Sequence, residues 1–135
     1  MSPVGRQMAS FVVTSRGGVL ENMWGPYGSE QWIRHDAALD PSGLADQAVY
    51  LSAADGTFTE EEQTFYDNYE ITSLAVGGLL ERGVLTCTRE LDDAMQAAGM
   101  DHHVVNYKEG GAHNWIQFNQ ELQPAWDHIK PALTD

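Results

Sequence analysis

The chain has 135 residues, 42% of them apolar and 20% charged, a composition that fits one packed globular unit and not a disordered tail. Seven Lys and Arg against 20 Asp and Glu give a net charge of −13, which argues against recognition of nucleic acid or an anionic membrane surface by charge. The single cysteine, Cys87, excludes an intrachain disulfide and a thiolate metal cluster.

Residues 1 to about 47 read as irregular with at most short helices, because "RGG", "WGPYG" and "DPSG" punctuate them and no period is sustained. The N-terminal stretch has an apolar core of only three residues, Phe11 to Val13, and lacks a signal-peptide pattern. Trp24, Tyr27 and Trp32 point to a packed loop, not a linker. "AVYLSA", Ala48 to Ala53, fits a strand buried on both faces, and "ADG" ends it as a turn. The acidic run "TEEEQTFYDNYE", with Glu60, Glu61, Glu62, Asp67 and Glu70, reads as a solvated loop and helix start, since EF-hand spacing is missing.

From Glu70 to Gly99 the period becomes helical. Ile71, Leu74, Ala75, Gly78, Leu79 and Arg82 share one face, continued by Leu85, Leu91, Met95 and Ala98, with Arg89, Glu90, Asp92 and Asp93 opposite. Gly77, Gly78 and Gly83 predict a break or close packing near its middle, and Gly99 a C-cap. Cys87 falls inside this pattern as a small packed residue. "HHVVNYKE", His102 to Glu109, is a second strand, with His102 and His103 pointing to opposite faces. Trp115, Phe118, Leu122, Trp126 and Ile129 make a last amphipathic stretch, expected to restart at Pro124.

Strand, helix and strand imply a parallel crossover, so the fold class expected is α/β: the last two parallel strands of a sheet, their crossover helix and a C-terminal helix. Two strands alone make no stable sheet, so 1–135 reads as a single partial domain.

The chemistry sits in "KEGGAHNW". A histidine after a strand, behind glycines that allow a sharp bend, is where an α/β-hydrolase carries its catalytic base. His113 is thus either such a base or a hydrogen-bonded loop residue. A base needs a carboxylate to hold its tautomer. Asp55, directly after the first strand, is the acid that spacing alone favours; Glu81, in "GGLLERG", is the alternative. No histidine or carboxylate spacing supports a metal site.

"ENMWGPYGSEQWIRHD", "VYLSAADG", "LLERG", "LDDAMQAAG" and "GAHNW" together resemble the C-terminal half of the antigen 85 mycolyltransferases, α/β-hydrolase esterases of the mycobacterial and corynebacterial cell envelope. The resemblance runs in order over nearly the whole chain. It implies that Glu81 is the acid and His113 the base, overturning the choice of Asp55. It also implies that Trp115 lines the sugar side of the cleft, where packing of the last helix is the other reading. Ser52 stands where family members often carry a cysteine.

The family's nucleophile lies in a G-x-S-x-G elbow, and no serine of this sequence has those flanking glycines. The expectation is therefore a C-terminal segment that supplies His113 and Glu81 but not the serine, and is inactive alone. Losing a nucleophile costs on the order of 10⁶ in rate in a serine protease. By resemblance the complete enzyme moves mycolyl groups between trehalose esters or onto arabinogalactan, is secreted to the envelope, and needs no metal or organic cofactor. Expected partners are a trehalose mycolate or similar glycolipid ester and a second polypeptide bearing the serine, or a second copy. The other readings are a non-catalytic carbohydrate-binding envelope protein and a plain carboxylesterase.

Overall fold

The computed structural model describes residues 6–66 and 71–133, so Asp67 and Glu70 lie outside the described residues. The elements in order are α1 (Arg6–Ser15), α2 (Glu21–Trp24), α3 (Glu30–His35), a 3-10 turn (Pro41–Leu44), β1 (Tyr50–Ala54), α4 (Glu60–Phe65), α5 (Ile71–Ala97), β2 (Val104–Lys108), α6 (Trp115–Ile129) and a closing 3-10 turn (Lys130–Leu133). The chain mixes helix with a small parallel sheet, β1 pairing β2 from Tyr50↔Val104 to Ala54↔Lys108.

That register divides the sheet into two faces, because successive side chains alternate. Leu51, Val105 and Tyr107 turn toward α5; Tyr50, Asn106 and Lys108 turn toward α6. On the α5 face, Leu51, Leu91, Met95 and Met100 form the apolar core, with Ala37, Leu44, Val49 and Val105 against it. On the α6 face the packing is polar. The Glu121 carboxylate accepts from Tyr50 Oη at 2.7 Å and Asn106 Nδ2 at 2.9 Å, and pairs with Lys108 Nζ at 3.1 Å.

The N-terminal third is more helical than its sequence predicts, since α1 alone runs for ten residues. Its aromatics pack on one another. Trp32 is fully buried, meets Trp24 and Tyr27 edge-on, and donates its indole N–H to Gly25 O at 2.9 Å.

The helix break expected at Pro124 is absent, and so is the break that was one of two readings of the α5 glycines. The glycines of α5 leave it continuous, and Gly78 serves the close packing that was the other reading: a Cβ there would lie 2.5 Å from Gly56 O and 3.4 Å from the Phe58 ring. Pro124 sits inside an unbroken α6. Both Gln120, whose carbonyl loses its helical partner, and Pro124 itself are exposed, so water can satisfy that oxygen. Helix α5 ends as predicted. Gly99 (φ +76°) follows the last turn, Met100 N donates to Met95 O at 2.9 Å and Gly99 N to Gln96 O at 3.0 Å, a Schellman motif.

The predicted faces of α5 need correction. Leu79 is 52% exposed, and Ala75 and Ala98 are exposed too. Asp92, placed on the charged face by the periodicity, is buried. His103 Nε2 approaches its carboxylate at 2.7 Å, Gln96 Nε2 at 2.7 Å and Tyr107 Oη at 2.8 Å. Cys87 is buried within α5, as its position in the helix implies.

Candidate functional site

Three carboxylates surround the "GGAHN" loop, and each does something different. Asp55, which spacing favours as the acid, is committed to its own turn. Its Oδ1 accepts from Thr57 Oγ1 at 2.6 Å and Thr57 N at 2.8 Å, and those bonds hold its carboxyl below the ordinary range. It is not joined to His113.

Glu81 is. Its Oε2 lies 2.9 Å from His113 Nδ1, while Oε1 accepts from the Ala54 amide, at the end of β1, at 2.9 Å. The Glu81 side chain is 3% exposed and that of His113 38%. A buried carboxylate costs several kcal/mol unless it is paired and hydrogen-bonded, and both of its oxygens are engaged here. An ionised carboxylate only accepts, so opposite one Nδ1 carries the proton, and in the neutral ring Nε2 is then the acceptor. The imidazole is further held edge-on by Phe118, ring centroids 4.9 Å apart.

The backbone brings these groups together. Gly110 and Gly111 have φ of +78° and +132°, which side-chain-bearing residues rarely adopt. Gly111 N donates to Thr57 O at 2.7 Å, Gly56 N to Gly111 O at 3.1 Å, and His113 N to Gly77 O of α5 at 3.1 Å. Asn114 then caps α6, accepting from Ile116 N at 2.9 Å and Gln117 N at 3.2 Å.

The third carboxylate is Glu62, read from the sequence as part of a solvated acidic run and found 1% exposed. Oε2 accepts from Thr59 N at 2.8 Å and Thr59 Oγ1 at 3.2 Å, and Thr59 Oγ1 in turn accepts from Glu62 N, a capping box that starts α4. Oε1 reaches across to accept from Ala112 N at 2.8 Å and Asn114 Nδ2 at 2.5 Å. Burial pushes its pKa up, but the bonds from Ala112, Thr59 and Asn114 outweigh that and hold it low. The Thr59-x-x-Glu62 spacing is the signal by which the cap was findable; the reach to residues 112 and 114 has no local signature.

A cavity of about 350 Å³ opens beside His113, lined among others by Tyr66, Leu74, Gly77, Ala112, Trp115 and Phe118. Trp115 is 74% exposed, so it does not serve as core packing for α6. It touches Phe118 edge-on at 5.7 Å. Thus of the expected site residues, Glu81 and His113 are bonded, Trp115 shares the cavity with His113, and Asp55 stands apart.

No protein-family model matches the sequence. The chain is 25% identical over 137 aligned residues to the diacylglycerol acyltransferase/mycolyltransferase Ag85B of Mycobacterium intracellulare. The alignment takes in 96% of this chain and 38% of that relative's length. The match points to a distant relationship with acyltransferases of that kind. Among the described residues, no helix is long and apolar enough to cross a membrane.

Proposed function

We propose that the chain is the C-terminal portion of an α/β-hydrolase acyltransferase, a single partial domain in which His113 is the catalytic base and Glu81 the acid that orients it. The observation that carries this reading is the buried Glu81 carboxylate, shared between His113 Nδ1 and the Ala54 amide. A serine hydroxyl delivered to Nε2 would lose its proton to His113 as it attacks an ester carbonyl. The imidazolium, held by Glu81, would return a proton to the departing alcohol, and a second alcohol or water would release the acyl group by the same steps in reverse.

The serine must come from outside this sequence, which has no G-x-S-x-G. Without it, and without an oxyanion hole, the dyad has no tetrahedral intermediate to serve, so the isolated chain is inactive in this reading. The substrate proposed from the acyltransferase relationship is a trehalose mycolate or similar glycolipid ester, handled in a secreted or envelope setting. Trp115 lines the sugar side, which its exposure beside His113 permits. The same exposed indole favours the second reading, a non-catalytic carbohydrate-binding protein.

A serine-directed fluorophosphonate and a nitrophenyl ester separate the two. An assembly of this chain with a serine-bearing partner is expected to label and to turn over ester. In that assembly Glu81→Gln abolishes turnover and Asp55→Asn leaves it near wild type. The reverse pattern refutes the assignment of the acid, and an assembly that neither labels nor cleaves ester refutes the enzymatic reading.

A further inference from the structure

We infer that Glu62 is a positioning residue for His113, and that α4 and the histidine loop are held as one unit through its carboxylate. The inference rests on the catalytic reading of His113, but its test does not use turnover.

Glu62 is set apart by where its two oxygens go. One caps α4 through Thr59; an exposed glutamate does that routinely. The other is spent entirely on the loop, at the two residues flanking His113: Ala112 N at 2.8 Å and Asn114 Nδ2 at 2.5 Å. The backbone of His113 is therefore fixed on both sides by one buried oxygen, and from α5 by its own N–H to Gly77 O at 3.1 Å. With the loop fixed, the imidazole meets Glu81 at 2.9 Å without having to be ordered anew.

The chemistry demands a carboxylate. Four donor groups converge on the side chain (Thr59 N, Thr59 Oγ1, Ala112 N and Asn114 Nδ2), and only an ionised carboxylate accepts at both ends. A glutamine satisfies one end and turns N–H donors toward the other. The cap also matters to the cavity, because Tyr66, which follows α4, lines it together with His113. Glu62 thus sets the spacing between the base and that wall of the cavity.

The test reads the His113 Nδ1 proton of the full chain by nitrogen-edited NMR, with solvent exchange as the measure. Glu62→Met keeps the length and removes both acceptors. It is expected to speed exchange of that proton at least about tenfold, the equivalent of one buried hydrogen bond, or to remove the resonance. Glu62→Gln should lie between it and wild type. Thr59→Ala weakens the α4 cap while leaving Oε1 on the loop, and should leave the resonance unchanged. If Glu62→Met leaves the proton protected, or if Thr59→Ala exposes it equally, the inference is overturned. Should Glu62→Met give no dispersed spectrum, Asn114→Asp is read in its place: it keeps the oxygen that caps α6 and loses the amide that donates to Glu62. Persistence of the resonance in N114D overturns the inference as well. A protected His113 proton in a chain whose assemblies never cleave ester would refute the catalytic reading and leave the positioning role standing.

Discussion

Adjacent glycines on α5 should respond to the same substitution with opposite sign. Alanine is favoured over glycine inside a helix by about 0.5–1 kcal/mol. At Gly77 a methyl group would meet His113 O at 3.6 Å and Ala112 Cβ at 3.8 Å, ordinary contacts, so Gly77→Ala should stabilise the chain by up to about 1 kcal/mol. At Gly78 the methyl would fall 2.5 Å from Gly56 O, which is backbone and cannot rotate away. Forcing a methyl group into such a contact costs ~1–3 kcal/mol, more than the helix gains, so Gly78→Ala should destabilise by about 1–2 kcal/mol. Guanidinium unfolding followed by far-ultraviolet circular dichroism measures both, provided the slopes agree. The shift that relieves Gly78 also moves α5 where Gly77 O holds His113 N, so Gly78→Ala should loosen the Glu81–His113 bond. Equal stability of the two variants, or a more stable Gly78→Ala, would refute the claim that Gly78 exists for close approach.

Acid should unfold the chain through its buried carboxylates. Glu62, Asp92 and Glu121 are each raised by burial but lowered more by their hydrogen bonds. A carboxyl depressed in the folded state adds stability above its unfolded value, near 4, and that contribution is lost as pH falls through the lower folded value. Melting temperature should therefore drop steeply below about pH 4, with a shallower drop in Glu62→Gln. Glu90 has the opposite sign: burial, then the charge of Asp36, raises it, so its ionisation opposes folding at neutral pH. Glu90→Gln should raise the melting temperature at pH 7 and leave it unchanged near pH 3, and a gain of equal size at both would show a cause other than charge. Met95, fully buried against Leu51 and Leu91, should cost ~2–5 kcal/mol as alanine. Leu122, 68% exposed, should cost under about 0.5 kcal/mol by the same denaturation assay.

Local rules carried the sequence a long way. A short apolar run against a period of 3.6 separated β1 from the helix that follows it, and the crossover required β1 and β2 to be parallel, as they are. A glycine stop placed the end of α5, because a left-handed residue terminates a helix whatever surrounds it. Two glycines before a histidine after a strand marked the loop that presents His113. Where the sequence misled, the deciding partner was distant along the chain. Spacing alone favoured Asp55 as the acid and the family resemblance favoured Glu81; the path of α5 across the sheet brings Glu81, 32 residues upstream, to the imidazole while Asp55 turns back on Thr57. Glu62 and Asp92 look solvated in their own segments, and each is buried because the loop or strand packed over it supplies several donors. Helix continuity through Gly77, Gly78 and Pro124 was likewise settled by neighbours and solvent, not by propensity. Composition and periodicity thus determined which elements form and in what order. Which carboxylate faces the histidine is a matter of donors and acceptors meeting across tens of residues, and only the tertiary structure decides that.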